Sequence, residues 1–432
     1  MTDSVNHFER RTPCDAAGRS RLPVRTHDAG ILPVRPMSAS PIDPSFEYDP
    51  FTADFQRNCG AIYRSLRDHH PVYHHPERGF WAISRFEDVW AATLDLDGLT
   101  TEGIEEAQAL KPMLNFLDPP RHDQLRTLVS RAFTHRRVQE MEPRIRRIAG
   151  ELLDAIAPAG RSDLLEDYAT PLPGQVIADL IGVPADRRLE FLGYTRAIAL
   201  GDQSSGIATA IRNPAEKIYQ EFALLLEERR SQRTDDLMSA LVDAEIGGER
   251  LTQDEILGFC FQLIIAGNDT TTMLIANGAV LLADHPDQRA LLAREPRRIP
   301  NAVEEMLRFE PPAHALPRRA RRDVALHGQT IPQDARVLLV WAAANRDERE
   351  FEAPERFDVE RKIRRHLAFG HGVHFCLGAS LARLEARVAF EELLARIPEY
   401  GLESEPSWLT SRWMRGHGSV PVRFTPNEPA RR

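Results

Sequence analysis

The sequence predicts a mainly helical fold with a minor β portion, and three observations carry that expectation. Apolar residues at helical spacing fill the middle of the chain, period-2 alternation is confined to short stretches, and residues 253–284 form one segment long enough to cross a whole domain.

Residues 1–45 predict a disordered tail: Arg10, Arg11, Arg19, Arg21 and Arg25 are interspersed with Asp15 and Asp28, and no apolar run there has the length of a signal peptide or anchor. From 46 to 432 no repeat or low-complexity linker interrupts the pattern, which predicts a single domain although 432 residues exceeds the usual size of one core. Gly79 to Ser84 alternates as a strand. After Asp118-Pro119-Pro120 the spacing predicts helices over 122–132, 137–157, 187–200, 213–231, 253–284, 287–293 and 301–309, with a loop from Gly201 to Gly206. Strand signals return at Val324 to His327, Val337 to Trp341 and Val420 to Phe424, and a last helix is expected from Gly378 to Ile397.

With 55 basic against 64 acidic side chains, net charge -9, the chain is not expected to bind nucleic acid. Cys14, Cys59, Cys260 and Cys376 lie far apart without CxxC spacing, so neither a disulfide framework nor a zinc knuckle is expected, and a reducing, cytoplasmic setting fits. Only Ile256 to Ala283 approaches membrane-span length, but Gly267-Asn268-Asp269-Thr270-Thr271-Thr272 at its middle would be costly in lipid. A helix through the core of a domain is expected instead, with no membrane association. It starts at the capping-box pattern Thr252-Gln253-Asp254-Glu255, and at ~1.5 Å per residue it would span about 48 Å.

The strongest chemical signal is Phe369-Gly370-His371-Gly372-Val373-His374-Phe375-Cys376-Leu377-Gly378. Two glycines permit a tight turn before a cysteine at a helix start, where free amides and the helix dipole favour thiolate. A lone cysteine is usually a small buried hydrophobe, the reading kept for Cys14, Cys59 and Cys260. One cysteine cannot hold zinc or an iron–sulfur cluster, but one axial thiolate suffices for haem. In the central helix Ala266 and Thr270 share a face, Gly267 removes bulk beside them, and Asp269 with Thr270 puts an acid and an alcohol into an apolar helix, where proton delivery is their natural task.

The decapeptide resembles the haem-binding signature of the cytochrome P450 family, and the surrounding motifs extend the resemblance over nearly the whole chain after residue 46. It implies a cytochrome P450 fold with the long helix over haem b, Cys376 as axial iron ligand, and Phe369, Gly370, Gly378, Ala266 and Gly267 around the cofactor. Ala266 to Thr271 resembles the acid–alcohol oxygen-activation motif, giving Asp269 and Thr270 the catalytic roles. His122 and Arg126, Arg318 (or Arg319, one position on) and His366 match positions that reach the haem propionates. Glu305-Met306-Leu307-Arg308 resembles the structural ExxR motif, and Asn345-Arg346-Asp347 with Phe351, Pro354, Phe357 and Asp358 the scaffold before the haem loop.

The resemblance further implies a monooxygenase of the bacterial, membrane-free type. It would hydroxylate an apolar small molecule such as a steroid, terpenoid, fatty acid, aromatic or macrolide with O2. Electrons would come from a separate ferredoxin or flavodoxin and its reductase, with NAD(P)H used only through them, since no dinucleotide fingerprint follows a strand here. A monomer is expected. Arg361-Lys362-Ile363-Arg364-Arg365 with Arg131, Arg136, Arg137, Arg383 and Arg387 offers a basic docking surface, with plain solvated charge the equal alternative. The substrate pocket is expected near Met113 and Leu114, 187–212, Ala266, Thr270, Ala313 to Leu316 and Trp413-Met414, with Arg412 or Arg415 as an anchor for a carboxylate. A peroxide-driven haem-thiolate peroxygenase and a non-catalytic haem sensor stay open as alternatives.

Overall fold

The computed structural model describes residues 46–426 apart from 51, 105–109, 131–132, 189, 192, 196–206, 247 and 410–413. The expected tail and the Gly201 to Gly206 loop lie outside the described residues. In chain order the elements are α1 (Ala53–His69), β1 (Val72–His74), β2 (Trp81–Ile83), α2 (Phe86–Ala92), β3 (Leu99–Thr100), α3 (Arg121–Val129), α4 (His135–Glu140), α5 (Glu142–Ile156) and β4 (Arg161–Asp163). There follow α6 (Pro171–Ile181), α7 (Ile207–Ser231), α8 (Leu237–Val242), β5 (Glu245–Ile246), β6 (Glu249–Arg250), α9 (Gln253–Asp284), α10 (Pro286–Arg294) and α11 (Ile299–Phe309). The last are β7 (Leu316–Ala320), β8 (Val324–Leu326), β9 (Gln329–Ile331), β10 (Arg336–Leu339), α12 (Trp341–Ala344), α13 (Ala379–Arg396), β11 (Tyr400–Leu402) and β12 (Pro421–Phe424).

The central helix has the ends its sequence predicts because its cap is real. Thr252 accepts from the Glu255 N–H at 3.2 Å while Glu255 accepts from the Thr252 N–H at 2.9 Å, and Arg121 at the start of α3 donates to the same carboxylate at 3.0 Å. Such a box satisfies two amide groups that otherwise have no helical acceptor. By length and composition α9 could cross a membrane, yet it is the axle of the core: α6, α7, α11 and α13 all pack on it. The expected helix 137–157 is two helices, since the chain turns at Met141 and Pro143 starts the second.

The main sheet has the order β1-β2-β10-β7-β3. Alternation discloses β2 and β10 but not β7, where Pro317 and two arginines mask the strand pattern. In the antiparallel β7–β10 pair Arg318 lies opposite Val337 and Arg319 opposite Arg336, so the adjacent arginines leave on opposite faces.

Candidate active site

The loop 369–378 is shaped by its glycines. Gly370 and Gly372 have φ of 66° and 71°, in the left-handed region that side chains disfavour, and a Cβ at Gly370 would stand 3.3 Å from the Trp341 ring. The Cys376 N–H donates to the Phe369 carbonyl at 2.9 Å, folding the loop back before α13 begins. Among the described cysteines Cys59 and Cys260 are buried and Cys376 is exposed. Its exposure is to a cavity of about 320 Å³ whose wall also includes Leu114, His122, Arg126, Phe259, Leu263, Ala266, Thr270, Ala313, Leu316, Phe369, His374, Gly378 and Met414. Dense surroundings push the thiol up, outweighing the Gly378 amide, Arg126, Arg383 and the Ala379 amide, which pull it down. The helix end and the two arginines thus favour thiolate against burial, and a coordinated cation would add to them.

On α9 the Thr270 hydroxyl donates to the Ala266 carbonyl at 2.5 Å, a bond to the preceding turn that leaves its oxygen lone pairs toward the cavity. Asp269 accepts from the Asn268 amide at 2.9 Å, and burial, against that bond, pushes its carboxyl up to about 7. A Cβ at Gly267 would come within 3.1 Å of Ile177, so this glycine lets α6 and α9 approach closely; Ala266, exposed although apolar, faces the cavity beside it.

One rim of the cavity is cationic. The His374 ring lies 4.5 Å from that of His122, tilted by 58°, and its Nε2 is 3.2 Å from Asp118 Oδ1. Burial alone would raise Asp118, but hydrogen bonds from His374, Thr100 and Thr101 hold the carboxylate well below its usual range. Arg126 donates to the Phe375 carbonyl at 2.5 Å. Arg318, 5 % exposed, donates from Nη1 to the Pro317 carbonyl; burial, opposed by the charge of Asp118, brings it down to about 10. Arg318 Nε and Trp341 Nε1 are buried donors with no protein acceptor among the described residues, and His122 Nε2 is buried with no hydrogen-bond partner there. Donors of this kind are costly unless an anion or acceptor meets them.

The sequence profile of the Cytochrome P450 family matches residues 200–397. Cytochrome P450 130 of Mycobacterium tuberculosis is 40% identical over 400 residues, 88% of this chain and 98% of that protein. The vitamin D(3) 25-hydroxylase of Pseudonocardia autotrophica is 39% identical, over 88% of this chain and 97% of its own. The chain belongs to the cytochrome P450 family. The structure of cytochrome P450 CYP109Q5 from Chondromyces apiculatus agrees, with a TM-score of 0.82 at 38% identity, over 88% of this chain and 99% of that one. Family membership makes this P450 an enzyme of the monooxygenase type and implies haem and dioxygen. The cavity fits haem: Cys376 offers the one exposed cysteine sulfur among the described residues, and Arg126 on its wall, with the unmatched Nε of Arg318 near His374, suits anionic propionates.

Within the P450 the structure brings Cys376, His122, Arg126, Ala266, Gly267, Thr270, Phe369 and Gly378 to one cavity. Gly370 shapes the loop without lining it, and Asp269 faces another side of α9. His366 is elsewhere: its Nε2 lies 3.0 Å from Glu304 and its Nδ1 accepts the Ala368 N–H, so a different histidine of the same loop, His374, stands at the rim. Its position two residues before the cysteine was the available signal. Between the two arginines the register decides. Arg319 is exposed enough to pair with Asp334 at 2.6 Å, whereas Arg318 points inward. Arg318→Leu is expected to weaken haem retention roughly ten- to a hundredfold, the cost of a charge-assisted hydrogen bond, while Arg319→Leu leaves it unchanged; transfer of haem to an apoglobin acceptor measures both.

Arg415 cannot anchor a substrate, because it is buried against Glu310 at 2.8 Å and Gln56 at 2.7 Å; Arg412 and Trp413 lie outside the described residues. The basic surface is thinner than its sequence suggests. Arg361 serves Glu305, Arg365 serves Glu87 and Glu350, Arg383 serves Glu304, and Arg387 serves Glu142 and Glu391. Arg137, Lys362 and Arg364 stay exposed, Arg136 pairs loosely with Glu140, and Arg131 is not among the described residues. Glu385 of α13 escapes the sequence reading: buried on the cavity wall with Oε2 unmatched, its carboxyl is pushed up to about 8 by burial. An acid among Leu381, Leu384 and Val388 was its only signal.

Proposed function

We propose that this P450 inserts one atom of dioxygen into an apolar small molecule, with electrons from a separate ferredoxin or flavodoxin and its NAD(P)H-dependent reductase. One observation carries the reading: a single cavity is lined at once by Cys376 and by Thr270, with an acid next to that alcohol. Cys376 would hold the iron of haem b through its sulfur. When bound, the haem supplies the reductive activation of dioxygen, favoured by electron density from the thiolate. His122, Arg126 and His374 on the cavity wall, with Arg318 near His374, would hold the propionates. Leu114, Phe259, Leu263, Ala313, Leu316 and Met414 provide an apolar wall that orients substrate and excludes water. A steroid, terpenoid, fatty acid, aromatic or macrolide suits such a wall, and the similarity to a vitamin D(3) hydroxylase supports a large apolar substrate. The exposed Arg137, Lys362 and Arg364 support an acidic carrier. The free thiols of Cys59 and Cys260 support a cytoplasmic setting, and the protein is taken to act as a monomer.

Thr270 holds a proton at its hydroxyl and Asp269 replaces it. A carboxyl brought up to about 7 is largely protonated below that pH and gives up its proton above it. Turnover is therefore expected to decline as pH rises past about 7, and Asp269→Asn to slow it roughly 100-fold and flatten the profile. The reading itself is tested with surrogate carrier, reductase, NAD(P)H and labelled dioxygen over a panel of apolar compounds. One labelled atom per product, lost when the carrier is omitted, supports it. Product from peroxide alone would instead mark a peroxygenase, and haem without any turnover a sensor.

A further inference from the structure

The central helix presents neighbouring faces to two different spaces. Ala266 and Thr270 line the large cavity, whereas Asp269, about 100° around the helix, lines a second one of about 50 Å³. Asn268 and Thr272 of α9 border this smaller cavity, as do Glu166, just after β4, and His417, ahead of β12. The acid that the proposed reaction needs thus opens away from the space that holds Cys376.

Three atoms on this second wall have no protein hydrogen-bond partner among the described residues: Asn268 Oδ1, Thr272 Oγ1 and His417 Nδ1. Their residues are 2%, 3% and 4% exposed, too little for bulk water to satisfy them. Native proteins meet such atoms with ordered water where space and partners allow, each water taking roughly 10–15 Å³ and two to four polar contacts. About 50 Å³ leaves room for about three. Burial, against Glu310, and with Arg415 outweighing the Ser407 carbonyl, brings His417 down to about 4, so it orients a water without taking up charge. Glu166 is half-buried, so it reaches both the cavity and the surface.

We infer that water held between Glu166, His417, Thr272 and Asp269 carries protons from the surface to Asp269, which makes Thr272 and His417 positioning residues for the proposed reaction. Glu166 takes a proton from solvent, each water passes one on and receives one, and the Asp269 carboxylate becomes the acid; no electron moves. The inference rests on the role proposed for Asp269, but the exchange it describes occurs in the resting holoenzyme without substrate.

The test is the infrared band of the Asp269 carboxyl, assigned by its loss in Asp269→Asn, followed after transfer into heavy water. Thr272→Val and His417→Leu are each expected to slow its exchange about tenfold, the effect of one ordinary hydrogen bond, while Thr272→Ser restores the wild-type rate. A high-resolution crystal structure of the wild type should show ordered water on Asn268 Oδ1, Thr272 Oγ1 and His417 Nδ1, a check that needs no variant to fold. Unchanged exchange in both variants, or a dry cavity, would overturn the route and leave the monooxygenase reading standing. Failure of substrate oxidation with exchange slowed as expected would sink that reading alone.

Discussion

Cys376→Ser is expected to abolish turnover and to remove the red-shifted carbon monoxide band from the reduced protein. The physical ground is that no other cysteine among the described residues replaces the sulfur. Cys59 and Cys260 are buried in other parts of the core, where burial pushes both thiols up, so neither reaches the cavity nor ionises readily. A serine hydroxyl is far less acidic than a thiol even beside the Gly378 and Ala379 amides, and it lacks the soft donor that pushes electron density to the iron. The fold should survive, because the Cys376 N–H to Phe369 carbonyl bond and the left-handed Gly370 and Gly372 hold the loop without the side chain. Folded protein that still binds haem but shows a shorter-wavelength carbon monoxide band is the expected result. A variant that keeps the thiolate-type band would show that another residue ligates the iron.

What the sequence discloses here is local, and what it hides is which way side chains face. A capping box and a 3.6-residue period mark both ends of α9 because those signals sit within a few residues of each other. The glycines ahead of Cys376 announce a turn for the same reason. By contrast, the pairing of His366 with Glu304 depends on a helix 62 residues away, and no spacing within the loop reveals it. Gly267 lines the cavity as its sequence suggests, but that it also lets Ile177, ninety residues earlier, pack against α9 is invisible in the sequence. Adjacent Asp269 and Thr270 read as one functional pair, and only the structure reveals that the two border different cavities. Arg318 and Arg319 are indistinguishable in sequence and are separated only by the pleat of β7 against β10.

The ExxR pair shows how far context changes an energy. On an arbitrary exposed helix its two charges would contribute ~0.3–0.5 kcal/mol. Here both side chains are fully buried and the contact is bidentate, at 2.7 and 2.8 Å. Arg308 also donates to the carbonyls of Asn345 at 2.9 Å and Pro354 at 3.0 Å, and Glu305 accepts from the Asp358 N–H at 2.9 Å and from Arg361 at 3.2 Å. The pair thus ties α11 to the segment that leads into the cysteine loop. Glu305→Ala is expected to destabilise the protein by about 3–5 kcal/mol, since it strands a buried guanidinium, and to release haem early because the loop's support goes with it. Arg308→Lys should fail as well, because an ammonium cannot replace the planar fork that serves a carboxylate and two carbonyls together. The double replacement Glu305→Leu with Arg308→Leu separates the two contributions. If the cost lies in the stranded charge, the double variant is more stable than Glu305→Ala in denaturant, though carbonyls of Asn345 and Pro354 lose their donor. A double variant that is worse than either single change would show instead that the pair's hydrogen bonds to the loop, not its mutual neutralisation, are what the fold requires.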